Sequence, residues 1–365
     1  MSHLKILVAT GSSGGHIFPA LAFLDSLSKN YPKAQTILVL PRKNKDKIKF
    51  ICPGSCKVVY TSLSSVKIGF KREDIKDLLE LFKCIFQTLK VLLKFQPDVV
   101  VGFGSIASVP AVMLGWLLRA KTIIHEQNVI PGKATKILAY IADKIAISFE
   151  ESRVYFKGQA DKIVVTGNPV RKQLIPLKKE QALDYFGLSR NKITVLVMGG
   201  SQSSHRINET FLGAVSLIKD KDKIQAIHLA GKADYESLKR WYDNSGISFA
   251  LFDFLEPIHY AYSASDLALS RAGATTIAEL SFFQVPAILV PYPYAQEHQF
   301  KNAKSLEEKG CAVIIKDRDL NVQVLKESLE AVISGQPGLK RMREKYTCFE
   351  LKDAGGLLVK EAMSL

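Results

Sequence analysis

The 365-residue chain contains no apolar run near the roughly 18–20 residues that a bilayer-spanning helix needs. Its short N-terminal apolar stretch, Ile6-Leu7-Val8-Ala9, runs directly into a glycine-rich loop and resembles no signal peptide, so a cytoplasmic protein is expected. Cysteine is sparse. Cys52, Cys56, Cys84, Cys311 and Cys348 do not pair off into a framework, and no second Cys or His pair follows Cys52 and Cys56 at zinc-site spacing. Reduced thiols are expected and a structural metal site is not. No Gly-Lys-Ser or Gly-Lys-Thr closes a glycine loop, and the first loop lacks the G-x-G-x-x-G fingerprint, so ATPase and dehydrogenase readings fall away. A nucleic-acid-binding motif, a short-period repeat, a low-complexity tract and an Asp-x-Asp metal motif are also missing.

What is present fits a folded enzyme. The length exceeds what one hydrophobic core usually organises, and apolar and charged residues make up an ordinary 47% and 23%. The net charge of +15 favours an anionic contact, whether nucleic acid, phosphorylated substrate or anionic lipid. Buried strands are expected at 5–9, 36–40, 99–102, 122–125 and 144–147, and after 5–9 comes a helix with Ile17, Leu21, Leu24 and Leu27 on one face. The pattern restarts at 194–198 and continues with strands at 224–229, 248–252, 267–270 and 287–290. Alternating strands and helices imply two doubly wound α/β domains of Rossmann type, with the boundary near the linker Gly167-Asn168-Pro169-Val170-Arg171. The expected division is 1–167 and 168–348.

Three strands end in small-residue loops: Gly11 to Gly15, Gly102 to Ser105, and Gly199 to Ser203. Glycine permits close backbone approach, and helical N–H groups that follow can point at an anion. Such turns are also often purely structural. His16 follows the first loop at a helix start, where the helix dipole disfavours the protonated ring; it is either a local hydrogen-bonding residue or a general base. His125-Glu126-Gln127-Asn128 packs four polar side chains after a strand, as a surface turn or a ligand contact. In Arg271 to Glu279, Thr275 or Thr276 could cap a helix, and Glu279 reads equally as a capping-box partner or a ribose-binding carboxylate.

Together, Gly11-Ser12-Ser13-Gly14-Gly15-His16-Ile17-Phe18-Pro19, His125-Glu126-Gln127-Asn128, Gly167 to Arg171, Gly199-Gly200-Ser201-Gln202, Ser270 to Glu279 and His298-Gln299 resemble one family nearly end to end. It is the MurG family, the undecaprenyl-diphospho-muramoylpentapeptide β-N-acetylglucosaminyltransferases of peptidoglycan synthesis. The resemblance implies a GT-B glycosyltransferase, two domains facing across a cleft, that turns lipid I into lipid II with inversion. UDP-N-acetylglucosamine is the implied donor, and no cofactor is required. His16 is the implied base, and Glu126 the second catalytic candidate. Ser13, Gly14, Gly15 and Gly104 would line the acceptor side, and Asn128, His298 and Gln299 would contact the donor sugar. Arg171 and Ser201 would meet the diphosphate, with Ala274, Thr275, Thr276, Ile277 and Ala278 lining the same pocket. Glu279 would hold the ribose, and backbone around Leu255 the uracil. A final helix over 349–365 would pack back on the first domain.

This chain departs from the family pattern at Ser13, Ile106, His298 and Ser203, of which Ser203 adds a side chain where close packing is expected. The stretch 75–95 reads as a helix with Ile75, Leu78, Leu79, Phe82, Ile85, Phe86, Leu89, Leu92 and Leu93 on one wide face. Leu81, Cys84, Val91 and Phe95 make the opposite side apolar too. With Lys83, Lys90 and Lys94 it fits either a core helix with a solvated basic edge or a helix lying on an anionic bilayer. The expected setting is the cytoplasmic face of the plasma membrane, with a lipid-linked acceptor and cell-wall synthesis or division proteins as partners, and no nucleic acid. The rival readings are transfer of galactose or glucose to diacylglycerol, a UDP-N-acetylglucosamine epimerase, and a non-catalytic scaffold.

Overall fold

The computed structural model describes residues 4–42, 56–62, 72–199, 205–294, 297–334, 338–346 and 353–365, without the side chains of 72–78 and 334. Ser201 and Ser203, the start of the final helix near 349, and the side chains of Ile75 and Leu78 lie outside these residues. The chain divides into two compact units, one of residues 1–172 with 352–365 and the other of 173–351.

Unit 1 runs β1 (Lys5–Thr10), α1 (Gly14–Asn30), β2 (Gln35–Pro41), β3 (Lys57–Thr61), α2 (Arg72–Phe95), β4 (Val99–Phe103), α3 (Val109–Leu117), β5 (Lys121–Glu126), α4 (Lys133–Leu138), β6 (Lys144–Ile147) and β7 (Ile163–Val165). Unit 2 runs α5 (Lys179–Phe186), β8 (Ile193–Met198), α6 (His205–Ser216), β9 (Ile224–Leu229), α7 (Tyr235–Ser245), β10 (Ser248–Phe252), α8 (Ile258–Ala264), β11 (Leu267–Ser270), α9 (Ala274–Phe283), β12 (Ala287–Leu289), α10 (His298–Glu308), β13 (Ala312–Ile314), α11 (Val322–Ser334) and α12 (Leu339–Lys345). The last helix, α13 (Ala354–Met363), belongs to unit 1.

Every pairing among the described residues is parallel, in the orders β3-β2-β1-β4-β5-β6-β7 and β10-β9-β8-β11-β12-β13. A sheet covered on both faces needs strands that are apolar at every position, and β1 shows how this works. Ile6 and Val8 pack with Ile17, Leu24, Leu358 and Val359 on one face. Leu7 and Ala9 pack with Leu92, Val112 and Leu138 on the other. The face of α1 is the expected one, with Ile17, Leu21, Leu24 and Leu27 all buried. Against α1 lies α13, where a side chain at Gly355 would collide with the Ser26 hydroxyl. Lys144 Nζ ties the end of α13 to β6 through Glu361 Oε2 at 2.6 Å.

Three strands were not expected: β3, β7 and β13. They are short or half-exposed, so no continuous apolar run marks them. Among the described side chains of α2, Cys84, Thr88 and Leu92 are buried, while Leu79, Phe82, Phe86 and Leu93 are exposed. The wide face expected from the sequence therefore splits, because the sheet and α3 select only one stripe of a helix that is apolar nearly all round.

Candidate functional site

Strand order reverses between β1 and β4 in unit 1 and between β8 and β11 in unit 2, and ligands of open α/β sheets bind at such points. In unit 1 this sets the first and second glycine loops side by side, with Thr10 in register with Phe103. The approach is close. A Cβ on Gly11 would stand 2.5 Å from Ser105 Cβ. Gly104 and Ser105 both take positive φ, 67° and 66°, a conformation that glycine adopts freely and serine rarely.

His16 sits on the third residue of α1, facing this junction. Its Nδ1 lies 2.7 Å from the Ser13 hydroxyl. A Cβ on Gly104 would lie 3.1 Å from His16 Cδ2 and 3.2 Å from Nε2, so glycine there leaves the Nε2 edge uncovered. Burial pushes the His16 pKa below its ordinary value, and the Glu126 charge opposes that only in part. When Nδ1–H donates to Ser13, Nε2 keeps a free lone pair. The ring is then neutral and oriented as a base requires.

The turn after β5 supports this histidine. His125 is buried, and its neutral tautomer is set from both sides. Nε2–H donates to the Gly167 carbonyl at 3.0 Å, while Nδ1 accepts from Gln127 Nε2 at 3.1 Å. Burial lowers its pKa to about 4. Glu126 is 2% exposed and closes the turn. Its Oε1 accepts from the Asn128 N–H at 3.0 Å and Asn128 Nδ2 at 3.2 Å, and its Oε2 from the Gly132 N–H at 3.0 Å. Its carboxylate is thus bound into the backbone it shapes, and it reaches His16 through its charge. Arg171 stacks its guanidinium 4.1 Å from the Phe18 ring centroid, and a Cβ on Gly14 would stand 3.0 Å from the same ring.

Unit 2 gathers a second group. The N-cap of α9 is Gly273, which places Thr276 at N3 and Glu279 a turn beyond it, so a capping box does not account for Glu279. Instead Glu279, 6% exposed, accepts a 2.8 Å hydrogen bond from the Tyr262 hydroxyl on α8. The Thr275 hydroxyl is buried in the first turn without a hydrogen-bond partner among the described residues. Ala274, Ile277 and Ala278 share that helix. Gln299, next to His298 at the start of α10, accepts from the N–H groups of Ala272 (3.1 Å) and Tyr292 (2.9 Å) with Oε1. Two N–H donors fix the amide orientation and leave Nε2 as the side that can meet a ligand. Leu255 is buried in the connection between β10 and α8.

The structure thus brings Ser13, Gly14, His16, Gly104, Glu126, Asn128 and Arg171 around one junction, and α9 and Gln299 around another. Sequence reasoning missed Tyr262, whose partner is 17 positions away on the next helix. It also missed the part played by Gln127. Among the described residues no group of three or more His, Cys, Asp or Glu could hold a metal ion.

The glycosyltransferase family 28 N-terminal domain matches residues 6–147, and the family 28 C-terminal domain matches residues 194–356. A relative from Thermodesulfovibrio yellowstonii is 35% identical over 364 residues, 99% of each chain. It is named UDP-N-acetylglucosamine–N-acetylmuramyl-(pentapeptide) pyrophosphoryl-undecaprenol N-acetylglucosamine transferase. This chain belongs to that transferase family. Among solved structures, MurG of Acinetobacter baumannii superposes with a TM-score of 0.76 at 22% identity, covering 100% of both chains. A UDP-N-acetylglucosamine 2-epimerase from Listeria monocytogenes follows at TM-score 0.71 and 12% identity, covering 100% of this chain and 97% of its own. At those identities both show the fold alone. MurG-family membership rests on the sequence relative.

Proposed function

We propose that this MurG-family enzyme transfers N-acetylglucosamine from UDP-N-acetylglucosamine to the muramoylpentapeptide of an undecaprenyl-diphosphate-linked acceptor, with inversion in a single displacement. The observation that carries the mechanism is His16, its pKa lowered, its Nδ1 on Ser13 and its Nε2 edge left open by Gly104. Nε2 takes the proton of the acceptor hydroxyl as that oxygen bonds to the anomeric carbon. The bond from that carbon to the diphosphate oxygen breaks, and UDP leaves with the electron pair. Arg171 and the first turn of α9 stabilise the charge that grows on the diphosphate, as donors fixed before the reaction. Glu279 holds the ribose and is itself positioned by Tyr262. Ser201 joins the diphosphate contacts, and Asn128, His298 and Gln299 those to the sugar. Glu126 positions the turn and tunes His16. No metal ion takes part in this scheme, so EDTA should leave the rate unchanged.

The membrane reading rests on α2 and α3, which pack side by side. Leu79, Phe82, Phe86 and Leu93 on the first are 56–64% exposed, and Trp116 and Leu117 on the second 46% and 67%. Lys83, Lys90 and Lys94 are exposed among them, with Lys90 Nζ 4.7 Å from the Phe86 ring. An apolar patch edged with cations suits an anionic leaflet, at the cytoplasmic face where the nucleotide donor is made. No helix among the described residues is long and apolar enough to cross a membrane. Replacing Lys83, Lys90 and Lys94 with Glu should weaken co-sedimentation with anionic vesicles; unchanged binding would remove this surface from the account.

Transfer of radiolabel from UDP-N-acetylglucosamine to a lipid-diphospho-muramoylpentapeptide in detergent tests the whole reading. Label should pass from this donor and not from UDP-galactose or UDP-glucose. Transfer from neither class of donor, with UDP still bound, would overturn the acceptor assignment.

A further inference from the structure

A cavity of about 370 Å³ opens beside the edge strand β3 of unit 1, and none of the residues around it takes part in the transfer scheme above. Arg42 just past β2, Tyr60 on β3, Ser62 just past it, and Lys83 and Gln87 on α2 supply its polar lining. Pro41 is in register with Thr61, so Arg42 and Ser62 leave the sheet side by side. They do so at the carboxyl end of a parallel sheet, the end from which the loop to His16 also departs.

What these residues offer a ligand is mostly donors. The Ser62 N–H donates to Gln87 Oε1 at 3.1 Å, which fixes the amide and leaves Nε2 as the group it can present. The Ser62 hydroxyl donates to the Glu80 carbonyl at 3.2 Å and ties the end of β3 to α2 a second time. Arg42 and Lys83 add two positive charges, and among the described residues no carboxylate lines the cavity or pairs with either. The partly buried cations Lys144, Lys179 and Arg271 each have a carboxylate partner. A lone exposed cation is ordinary. Two that share one cavity with a phenol and an amide donor form a place for an oxyanion. The volume falls in the range of about 300–1,000 Å³ usual for small-molecule sites.

The neighbours on α2 indicate which oxyanion. Phe82 precedes Lys83 and Phe86 precedes Gln87, and the two rings are 61% and 58% exposed. Each cavity residue of the helix thus stands beside a large apolar side chain left in water. A ligand with a phosphate at one end and hydrocarbon at the other matches both. We infer that the cavity binds the phosphodiester headgroup of an anionic glycerophospholipid, with its acyl chains running over Phe82 and Phe86. Arg42 and Lys83 disfavour a headgroup that carries its own cation. The inference rests on the membrane reading above and adds to it a site that distinguishes phosphate from other negative charge.

The test uses phosphatidylcholine vesicles made anionic with phosphatidylglycerol or, to the same surface charge, with oleate. Wild type should bind the phosphatidylglycerol vesicles about 10-fold more tightly, the scale of hydrogen bonds to a charged group. Tyr60→Phe and Gln87→Leu leave the protein's charge as it is. Each should lower affinity for the phosphatidylglycerol vesicles about 5-fold and leave oleate vesicles within about 2-fold of wild type. If Gln87→Leu fails to fold, Tyr60→Phe decides alone. A second arm titrates monomeric dihexanoyl-phosphatidylglycerol, which has no bilayer surface, and Arg42→Gln should weaken its binding about 10-fold. Equal wild-type affinity for both vesicles would reduce the cavity to general charge attraction. Inorganic phosphate displacing the short-chain lipid at equal concentration would make it a free-phosphate site. Unchanged lipid binding in the variants, with a raised acceptor KM in detergent, would give it to the acceptor's own anions. Each of these overturns the proposal. Wild type that ignores both vesicles yet binds the short-chain lipid would overturn the membrane reading and leave the cavity's ligand standing.

Discussion

At its reversal point, where β1 adjoins β4, unit 1 presents a histidine; unit 2, where β8 adjoins β11, presents a carboxylate one helix turn in. His16 is half-buried with one ring edge open, and His125 behind it is held neutral. Unit 2 also has a neutral histidine, His228, but seals it in the core with both nitrogens bonded, to Tyr242 and Asn208. Its site edge is built instead from Glu279, fixed by Tyr262, and from Gln299, fixed by two backbone N–H groups. The difference is chemical. A proton can be moved only by a group that changes charge easily, whereas a nucleotide is best held by groups that do not.

The largest expected effect tests the first half of that contrast. His16→Ala should lower kcat by about 100-fold or more with UDP affinity nearly intact. A loss confined to KM would make His16 a binding residue and erase the contrast. Because burial depresses its pKa, wild-type activity should stay level at neutral pH and fall only as pH drops below 6.5 toward the lowered value. Next comes Glu279→Ala, for which donor KM should rise about 10- to 100-fold, the scale of hydrogen bonds to a charged group. An equal fall in kcat would place Glu279 in the chemical step. Tyr262→Phe removes only the hydroxyl that aims Glu279 and should raise donor KM about 5-fold, with kcat unchanged. If Tyr262 serves the core alone, Tm will fall and KM will not move.

The smallest effect at neutral pH belongs to the buried histidines. Their folded-state pKa values are lowered, from 6.5 to about 4 for His125 and to about 3 for His228. The unfolded chain therefore binds protons that the folded chain refuses. Stability should decline as pH falls below 6.5 and level off beneath those values, by about 3 kcal/mol for His125. Urea midpoints across pH 7 to 4 check this, and His125→Gln should flatten part of the slope.

Much of this was legible in consecutive residues. Strand after strand was marked by its apolar run, and the loops Gly11 to His16 and His125 to Asn128 by small or polar residues at strand ends. What escaped were relations across the chain. Tyr262 reaches Glu279 from another helix, and nothing local in either sequence marks the pair. In α2, periodicity grouped Leu92 with Phe82, yet Leu92 is buried and Phe82 is 61% exposed. A helix apolar on every side does not state which stripe its neighbours will cover. The edge strands β3 and β7 were lost for the opposite reason, since half-exposed residues leave no continuous apolar mark.

Unit 1 consists of two pieces of chain, and the second, 352–365, is separated from the first by the whole of 173–351. During translation, then, the flank of α1 that Leu358, Val359 and Ala362 cover must wait while the whole of unit 2 is made. The later-made unit can mature first, being continuous, while the earlier-made one stays unfinished. A released chain that ended before residue 353 would keep unit 2 whole but leave it tethered to a partner whose apolar side is bare, a substrate for chaperones and proteases rather than half an enzyme.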